Sequence, residues 1–166
     1  FSPLYIQLFL HTFLYAAING NLKNMQWLEQ IKCPWNNYTF MAAIQSNNLN
    51  NLKWLYKKGC PWDEWTFHIA VCAGSLNNQQ LFKDFGYIGT KYIDINTTIT
   101  PNLNILNWLF NNRCPWNEAT FSYAAGNGCL NVMKWLYNKK CPYDEWTFAA
   151  SALKGSLENM LWLQQI

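Results

Sequence analysis

Cysteines have the widest chemical repertoire of any side chain in this sequence, because a thiol can bind zinc, form a disulfide or act as a nucleophile. Six are present among 166 residues, and four of these share a spacing of 27 residues or a multiple of it: Cys33, Cys60, Cys114 and Cys141. No Cys-x-x-Cys pair occurs, and His11 and His68 lie far from any Cys–His zinc spacing. The sequence therefore predicts free, buried thiols, with no metal site and no cofactor.

Paired carboxylates are the second arrangement that could carry chemistry. Asp63-Glu64 and Asp144-Glu145 each join two acids, the residue types that a glycosidase uses as general acid and base. The two pairs are three periods apart, so they lie roughly 25–30 Å from each other if each period adds one layer of helices. No nucleotide-binding loop or Ser-His-Asp order accompanies them. We therefore predict that the chain is not an enzyme and has no catalytic residue or small-molecule substrate.

The 27-residue period extends over the whole chain in several independent positions. Thr-Phe pairs occur at 12–13, 39–40, 66–67, 120–121 and 147–148. A tryptophan series has the same period: Trp27, Trp54, Trp108, Trp135 and Trp162, with Leu81 in the remaining position. Self-similarity of this length is typical of solenoids, in which each unit contacts its neighbours. We predict a single solenoid over residues 1–166, with about six units.

One unit is predicted to be a helix, a tight turn, a second helix and a Cys-Pro-Trp loop. Asn36 or Asn37 can cap the first helix, because proline disfavours helix in the loop before it. The first helix is predicted to end at Asn47. The equivalent position, or slot, in other repeats holds Gly20 and other glycines. Glycine and asparagine are the residues that most readily adopt the left-handed conformation found at helix ends. The fold class expected is therefore all-α, a helix-turn-helix repeat solenoid.

The unit resembles an ankyrin repeat in its order of motifs, most completely at residues 39–66. These motifs are Thr-Phe, Ala42-Ala43, Leu-Lys-Trp-Leu at 52–55 and Gly-Cys-Pro-Trp-Asp-Glu-Trp at 59–65. Over residues 11–166 the chain more closely resembles the short, Trp-rich ankyrin-like arrays of giant DNA viruses of amoebae. Its unit is about six residues shorter than the common 33-residue ankyrin unit. The resemblance thus implies an ankyrin-like fold with shortened or absent β-hairpin fingers.

The fourth unit, about residues 87–113, is degenerate. Gly86-Tyr87-Ile88-Gly89 replaces Gly-Cys-Pro-Trp, Ile93-Asp94 replaces Thr-Phe, and Pro101 replaces the turn glycine, yet the unit length stays at 27. Two explanations remain open. The sequence has drifted, so that a helix is distorted or the solenoid bends, or the unit forms a surface specific to a partner.

Composition limits the location and the class of partner. The net charge of +3 is too small to indicate a phosphate-binding surface. The apolar segment Phe1 to Ile18 contains Pro3, Gln7 and His11 and lacks a basic leader, so neither a membrane span nor a secretory signal is expected. We expect an intracellular location, in host cytoplasm, or a place in the virion. The first residue is not Met and the last segment is helix-like, which suggests a fragment of a longer array.

The slot before Thr-Phe varies between units, and variable exposed slots are where a repeat protein sets its specificity. This slot holds His11, Tyr38, Trp65, Tyr92, Ala119 and Trp146. Aromatic residues dominate many binding interfaces. We predict a partner-binding ridge composed of Tyr38, Trp65, Tyr92 and Trp146, flanked by Asp63, Asp144 and Lys91. The alternative is that these rings cover the loop of the neighbouring unit.

Three functions are consistent with such a chain. The resemblance implies a non-enzymatic protein–protein interaction scaffold for host or viral proteins, in some arrays as the recognition arm of a ubiquitin-ligase adaptor. A structural component of the virion is the alternative, since low charge and many aromatics suit permanent burial. Helical-repeat RNA binding is the third. A periodic basic column is missing, because slots equivalent to Lys53 hold Gln26, Gln80, Asn107, Lys134 and Leu161, and this argues against a nucleic-acid partner.

Overall fold

The computed structural model describes the backbone of residues 3–72 and 101–166, and side chains from residue 11 onward. Within these ranges the chain is all-helical, which confirms the predicted fold class at this level. The helices are α1 Pro3–Ile18, α2 Leu22–Gln30, α3 Asn37–Gln45, α4 Leu49–Lys57, α5 Glu64–Val71, α6 Leu103–Asn111, α7 Glu118–Gly126, α8 Leu130–Asn138, α9 Glu145–Lys154 and α10 Leu157–Leu163.

The chain divides into two compact units, residues 1–66 and residues 67–166. In the first compact unit, α1 packs against α2 and α3, and α3 packs against α4. In the second compact unit, α7 packs against α8 and α9, and α9 packs against α10. The loops before α3, α5, α7 and α9 have no regular structure, so among the described residues no β-hairpin finger separates the helices.

Three of the even-numbered helices begin at an asparagine cap. The side chains of Asn21, Asn48 and Asn102 each accept a hydrogen bond from a backbone N–H in the first turn, at 2.9–3.1 Å. Cys129 and Ser156 occupy the same position without a side-chain bond. An asparagine in this position satisfies one of the four N–H groups that a helix start leaves unpaired.

In the described repeats, the first helix is followed by a left-handed residue, as predicted. The φ angles are +68° at Gly20, +52° at Asn47, and +74° at both Gly128 and Gly155. The predicted equivalent at Gly74 lies outside the described residues.

A second left-handed position, which sequence reasoning missed, comes after the even-numbered helices. It is occupied by Lys32, Gly59, Arg113 and Lys140, with φ between +60° and +79°. A left-handed backbone is unfavourable for any residue with a Cβ atom, so the three basic residues are strained there.

Four phenylalanines of the Thr-Phe motif form the centre of the packing. Phe13, Phe40, Phe67 and Phe121 are fully buried. Each contacts a loop aromatic ring, at centroid distances of 5.1–5.3 Å: Phe13 with Trp35, Phe40 with Trp62, Phe67 with Trp116, and Phe121 with Tyr143. These ring contacts connect a first helix to a loop further along the chain.

The tryptophan series of the even-numbered helices is less buried than a core position would be. Trp54, Trp108, Trp135 and Trp162 are half-buried, and Trp27 is 57% exposed. The series thus differs along the chain, and Trp27 is its most exposed described member. Trp54 and Trp135 pack edge-on against the loop tryptophans Trp35 and Trp116.

Truncation of these tryptophans should separate the packed from the exposed position. Trp135 contacts Trp116 and Phe67, and its Nε1 donates to Oδ1 of Asn107 at 3.2 Å. We expect Trp135→Ala to lower the free energy of unfolding by about 3–5 kcal/mol. Trp27→Ala, in the equivalent slot, should cost less than about 1 kcal/mol because the ring is largely exposed. Equal losses in urea denaturation would contradict this packing.

The left-handed basic residues give a second stability test. Lys140→Gly removes the strain at φ +63°, so the free energy of unfolding should rise by about 0.5–1 kcal/mol. Gly59→Lys is the reciprocal change and should cost a similar amount. A Cβ built at Gly59 meets no atom within 4 Å, so the cost would come from the backbone alone. Urea midpoints that move in the same direction for both variants would disprove the explanation.

Candidate partner-binding surface

The threonine of Thr-Phe fixes the start of three first helices, α3, α5 and α7. Backbone N–H groups of Asn36, Asp63 and Asn117 donate to the threonine hydroxyl three residues later, at 3.2–3.4 Å. Each of these three side chains in turn accepts from a backbone N–H of the first turn. This reciprocal capping box explains why the pair is Thr-Phe. The Asn/Asp-x-x-Thr spacing could have revealed it in the sequence.

Tyr38 and Trp65 of the predicted ridge lie in the first turns of α3 and α5. Both side chains are half-buried, and both have partners within the chain. Asp63 is engaged as well, because its Oδ2 accepts from Nδ2 of Asn37 at 2.7 Å. That bond places Asp63 beside the first turn of α3, next to Tyr38. The bond between Asn37 and Asp63 therefore joins a first helix to the following loop.

Trp146 is the most accessible described member of the ridge. Its side chain is 68% exposed, and its backbone N–H donates to Oδ1 of Asp144, the cap of α9, at 3.1 Å. Asp144 thus fixes the turn from which Trp146 projects. Tyr92 and Lys91, also predicted for the ridge, lie outside the described residues.

Helix α9 carries an exposed apolar strip that sequence reasoning missed. Trp146, Ala149 and Leu153 follow the i, i+3, i+7 spacing of one helix face, and all three are exposed, Leu153 by 93%. We refer to these three residues as the α9 face. Leu153 stands in a slot whose other described members, Ile18, Gln45, Cys72 and Gly126, are buried or half-buried, so the sequence held no signal that would have identified its exposure.

Phe148 lies on a different side of α9 and differs from its counterparts. It is 44% exposed, whereas the four other described phenylalanines of Thr-Phe are fully buried, each in contact with a loop aromatic ring. Thr147 and Ser151 form the buried side of α9, where Thr147 shares a hydrogen bond of 3.1 Å with Ser122 of α7. Helix α9 is thus anchored along the side of Thr147 and Ser151.

The cysteine series joins consecutive elements through weak hydrogen bonds. Sγ of Cys60 donates to the backbone carbonyl of Asn36 at 3.5 Å, and Sγ of Cys141 donates to that of Asn117 at 3.7 Å. All six cysteines are free, and all except Cys129 are buried. Desolvation by burial raises the pKa of Cys60 and of Cys141 to about 12. Thiols that stay protonated are poor nucleophiles and poor metal ligands.

Among the described residues, no three His, Cys, Asp or Glu side chains are grouped so that they could hold a metal ion. No helix in the described ranges is long and apolar enough to cross a membrane. No protein-family model matches this sequence, and no curated protein matches it significantly. Its function must therefore be inferred from its own residues and contacts.

The buried thiols predict a specific loss of stability at alkaline pH. A free thiol ionises near pH 9, whereas Cys60 and Cys141 resist ionisation in the folded protein until about pH 12. Their contribution is fully present below pH 9 and is lost as the pH rises from about 9 to about 12. We expect the free energy of unfolding to fall by about 1.4 kcal/mol per pH unit for each such thiol in this window.

A Cys60→Ser, Cys141→Ser variant should show a shallower fall when urea denaturation is repeated between pH 8 and pH 10.5, since serine does not ionise there. Cys129→Ser serves as the control, because this thiol is only half-buried. Identical slopes for the parent and the double variant would contradict the assignment.

Proposed function

We propose that this chain is a helical-repeat solenoid that serves as a non-enzymatic protein–protein interaction scaffold, binding host or viral proteins. The α9 face is the observation that carries the proposal. Two large apolar side chains project from a firmly capped helix there, separated by a small alanine. Exposed apolar surface of this kind on an ordered helix is typical of a protein-binding site.

Contacts that recur with the sequence period support the solenoid. The phenylalanine-to-loop ring contact, the capping box and the thiol-to-carbonyl bond each occur in both compact units. In a solenoid such constant contacts hold the frame, and the slots that vary remain available for recognition. The slot of Trp146 varies between repeats, since it also holds His11, Tyr38, Trp65 and Ala119.

The chemistry of the α9 face indicates the kind of partner surface that fits it. Trp146 and Leu153 suit an apolar pocket or a shallow groove, and tryptophan is enriched among residues that dominate binding energy. Exposed Glu145 and the capping carboxylate of Asp144 lie at the same end of the helix. A protein surface with an apolar centre and a basic margin would therefore be complementary.

Affinity purification with matched tryptophan variants tests the proposal. The full-length protein and its Trp146→Ala and Trp27→Ala variants would be recovered from infected cells, and the bound proteins compared. Both tryptophans are more than half exposed, so Trp27→Ala controls for nonspecific apolar adhesion. We expect Trp146→Ala to lose a partner by at least about tenfold, as loss of a binding hot spot would cause, while Trp27→Ala retains it.

Melting temperatures must be unchanged for the comparison to hold. Equal recovery of every partner by all three proteins would exclude the α9 face as the binding surface. A Trp65→Ala, Tyr92→Ala variant then tests the remainder of the predicted ridge.

A structural role in the virion is the alternative function. The same exposed apolar residues would suit permanent burial against neighbouring proteins in a particle. Quantitative mass spectrometry of purified particles distinguishes the two. A stoichiometric amount of the chain in particles, together with no partner in the cell, would favour the structural role.

A further inference from the structure

We infer that α5, the first helix of the third repeat, packs directly on α7, the first helix of the fifth, although one additional period of sequence lies between them. Every contact that carries this inference lies within the compact unit of residues 67–166. It concerns the order in which the helices stack and is independent of the proposed function.

Aromatic contacts give the first indication. Phe13, Phe40 and Phe121 each pack on the loop ring 22 positions later in the sequence. Phe67 instead packs on Trp116, 49 positions later, at an ordinary centroid distance of 5.2 Å. The difference is one period of 27. Trp116 thus occupies, for Phe67, the place that the next loop occupies for the other three phenylalanines.

Polar contacts between α5 and α7 agree with the ring contacts. His68 Nε2 lies 3.1 Å from Oδ1 of Asn117, the cap of α7, and the His68 ring packs at a tilt against Tyr123, with 5.0 Å between the ring centroids. Nδ2 of Asn127 donates to Sγ of Cys72 at 2.8 Å. Such distances require neighbouring helices, because interaxial distances are about 8–10 Å and a helix between them would double the separation.

The even-numbered helices show where the additional period lies. Trp135 of α8 bonds Asn107 of α6, 28 positions earlier, and Lys139 lies 4.9 Å over the ring of Phe110, 29 positions earlier. Lys58 and Glu29 form an ion pair at that same separation. The step from α6 to α8 is therefore one ordinary period. The additional period therefore lies in the sequence between α5 and α6.

The residues of the fourth unit give a physical reason. Gly89 stands in the slot of the loop tryptophan, so it offers Phe67 no ring. Asp94 stands in the slot of the buried phenylalanine, where an unpaired carboxylate would be costly. Trp116 supplies the missing ring, and direct contact between α5 and α7 leaves Phe67 fully buried.

Disulfide trapping in the full chain tests the inference. Asn127→Cys in a Cys129→Ser background places a new thiol where the amide now contacts Cys72. Mild oxidation should join Cys72 to the new cysteine in most molecules, detected by mass spectrometry of proteolytic fragments. Lys154→Cys, in the same slot one unit later, is the matched control and should give no bridge, because a disulfide needs Cα atoms within about 7 Å.

The contrary result is equally specific. If each repeat stacked on the next one in the sequence, Cys72 would instead face position 100, which lies one period before Asn127. A bridge from Cys72 to Thr100→Cys, with none to Asn127→Cys, would overturn the inference.

Two deletions of 27 residues provide a second measurement. Removal of residues 75–101 joins Cys72-Ala73-Gly74 to Asn102-Leu103, which reproduces the turn of Ile18-Asn19-Gly20-Asn21-Leu22. Removal of residues 129–155 joins Gly128 to Ser156-Leu157 but eliminates α8 and α9. The first deletion should leave the melting temperature within about 3 °C of the full chain, and the second should lower it further, because it removes a stacked layer. Equal losses would contradict the inference.

Discussion

Packing of the Thr-Phe phenylalanine against an aromatic loop residue is the interaction on which the rest of this structure depends. The unit has only 27 residues and, where described, no hairpin between its helices. The loop ring is therefore the element that connects one first helix to a later part of the chain. Phe121 illustrates the arrangement, since it lies between Tyr143 of the loop and Trp162 of α10.

The small residues around this ring contact act to hold its geometry. Thr120 closes the capping box of α7, and Cys141 donates to the carbonyl of the same cap residue, Asn117. Each bond is weak by itself, at about 1 kcal/mol or less. Together they satisfy backbone groups that would otherwise be buried without partners. The cost of leaving such groups unpaired explains why these slots hold Thr, Asn or Asp, and Cys.

The positions that form these contacts must stay constant between repeats, whereas exposed positions can vary. The first-turn residues Tyr38 and Trp65 are half-buried against their surroundings, so their aromatic character serves the frame at least in part. Trp146 and Leu153 are exposed and lie on the outward side of an anchored helix. A recognition surface on this side would have little conformational entropy to lose on binding, because the caps already fix the helix. Lys32 and Arg113 adopt strained left-handed backbones in the loops that follow α2 and α6.

The sequence by itself determined the helices and their limits, because caps, turns and apolar stripes are local properties. Asn47 adopts the left-handed conformation that the spacing predicts. Asn48 caps α4, and Leu52 and Leu55 on that helix are buried. The exposure of Trp27, the strain at Lys140 and the α9 face depended on which surfaces lie against one another, and no local pattern encodes this. The partner of Phe67 was likewise decided only in three dimensions. A 27-residue period specifies which slots can pair, but any unit in register offers the same slots. Trp116 is chosen over Gly89 because it alone of the two brings an aromatic ring to the contact.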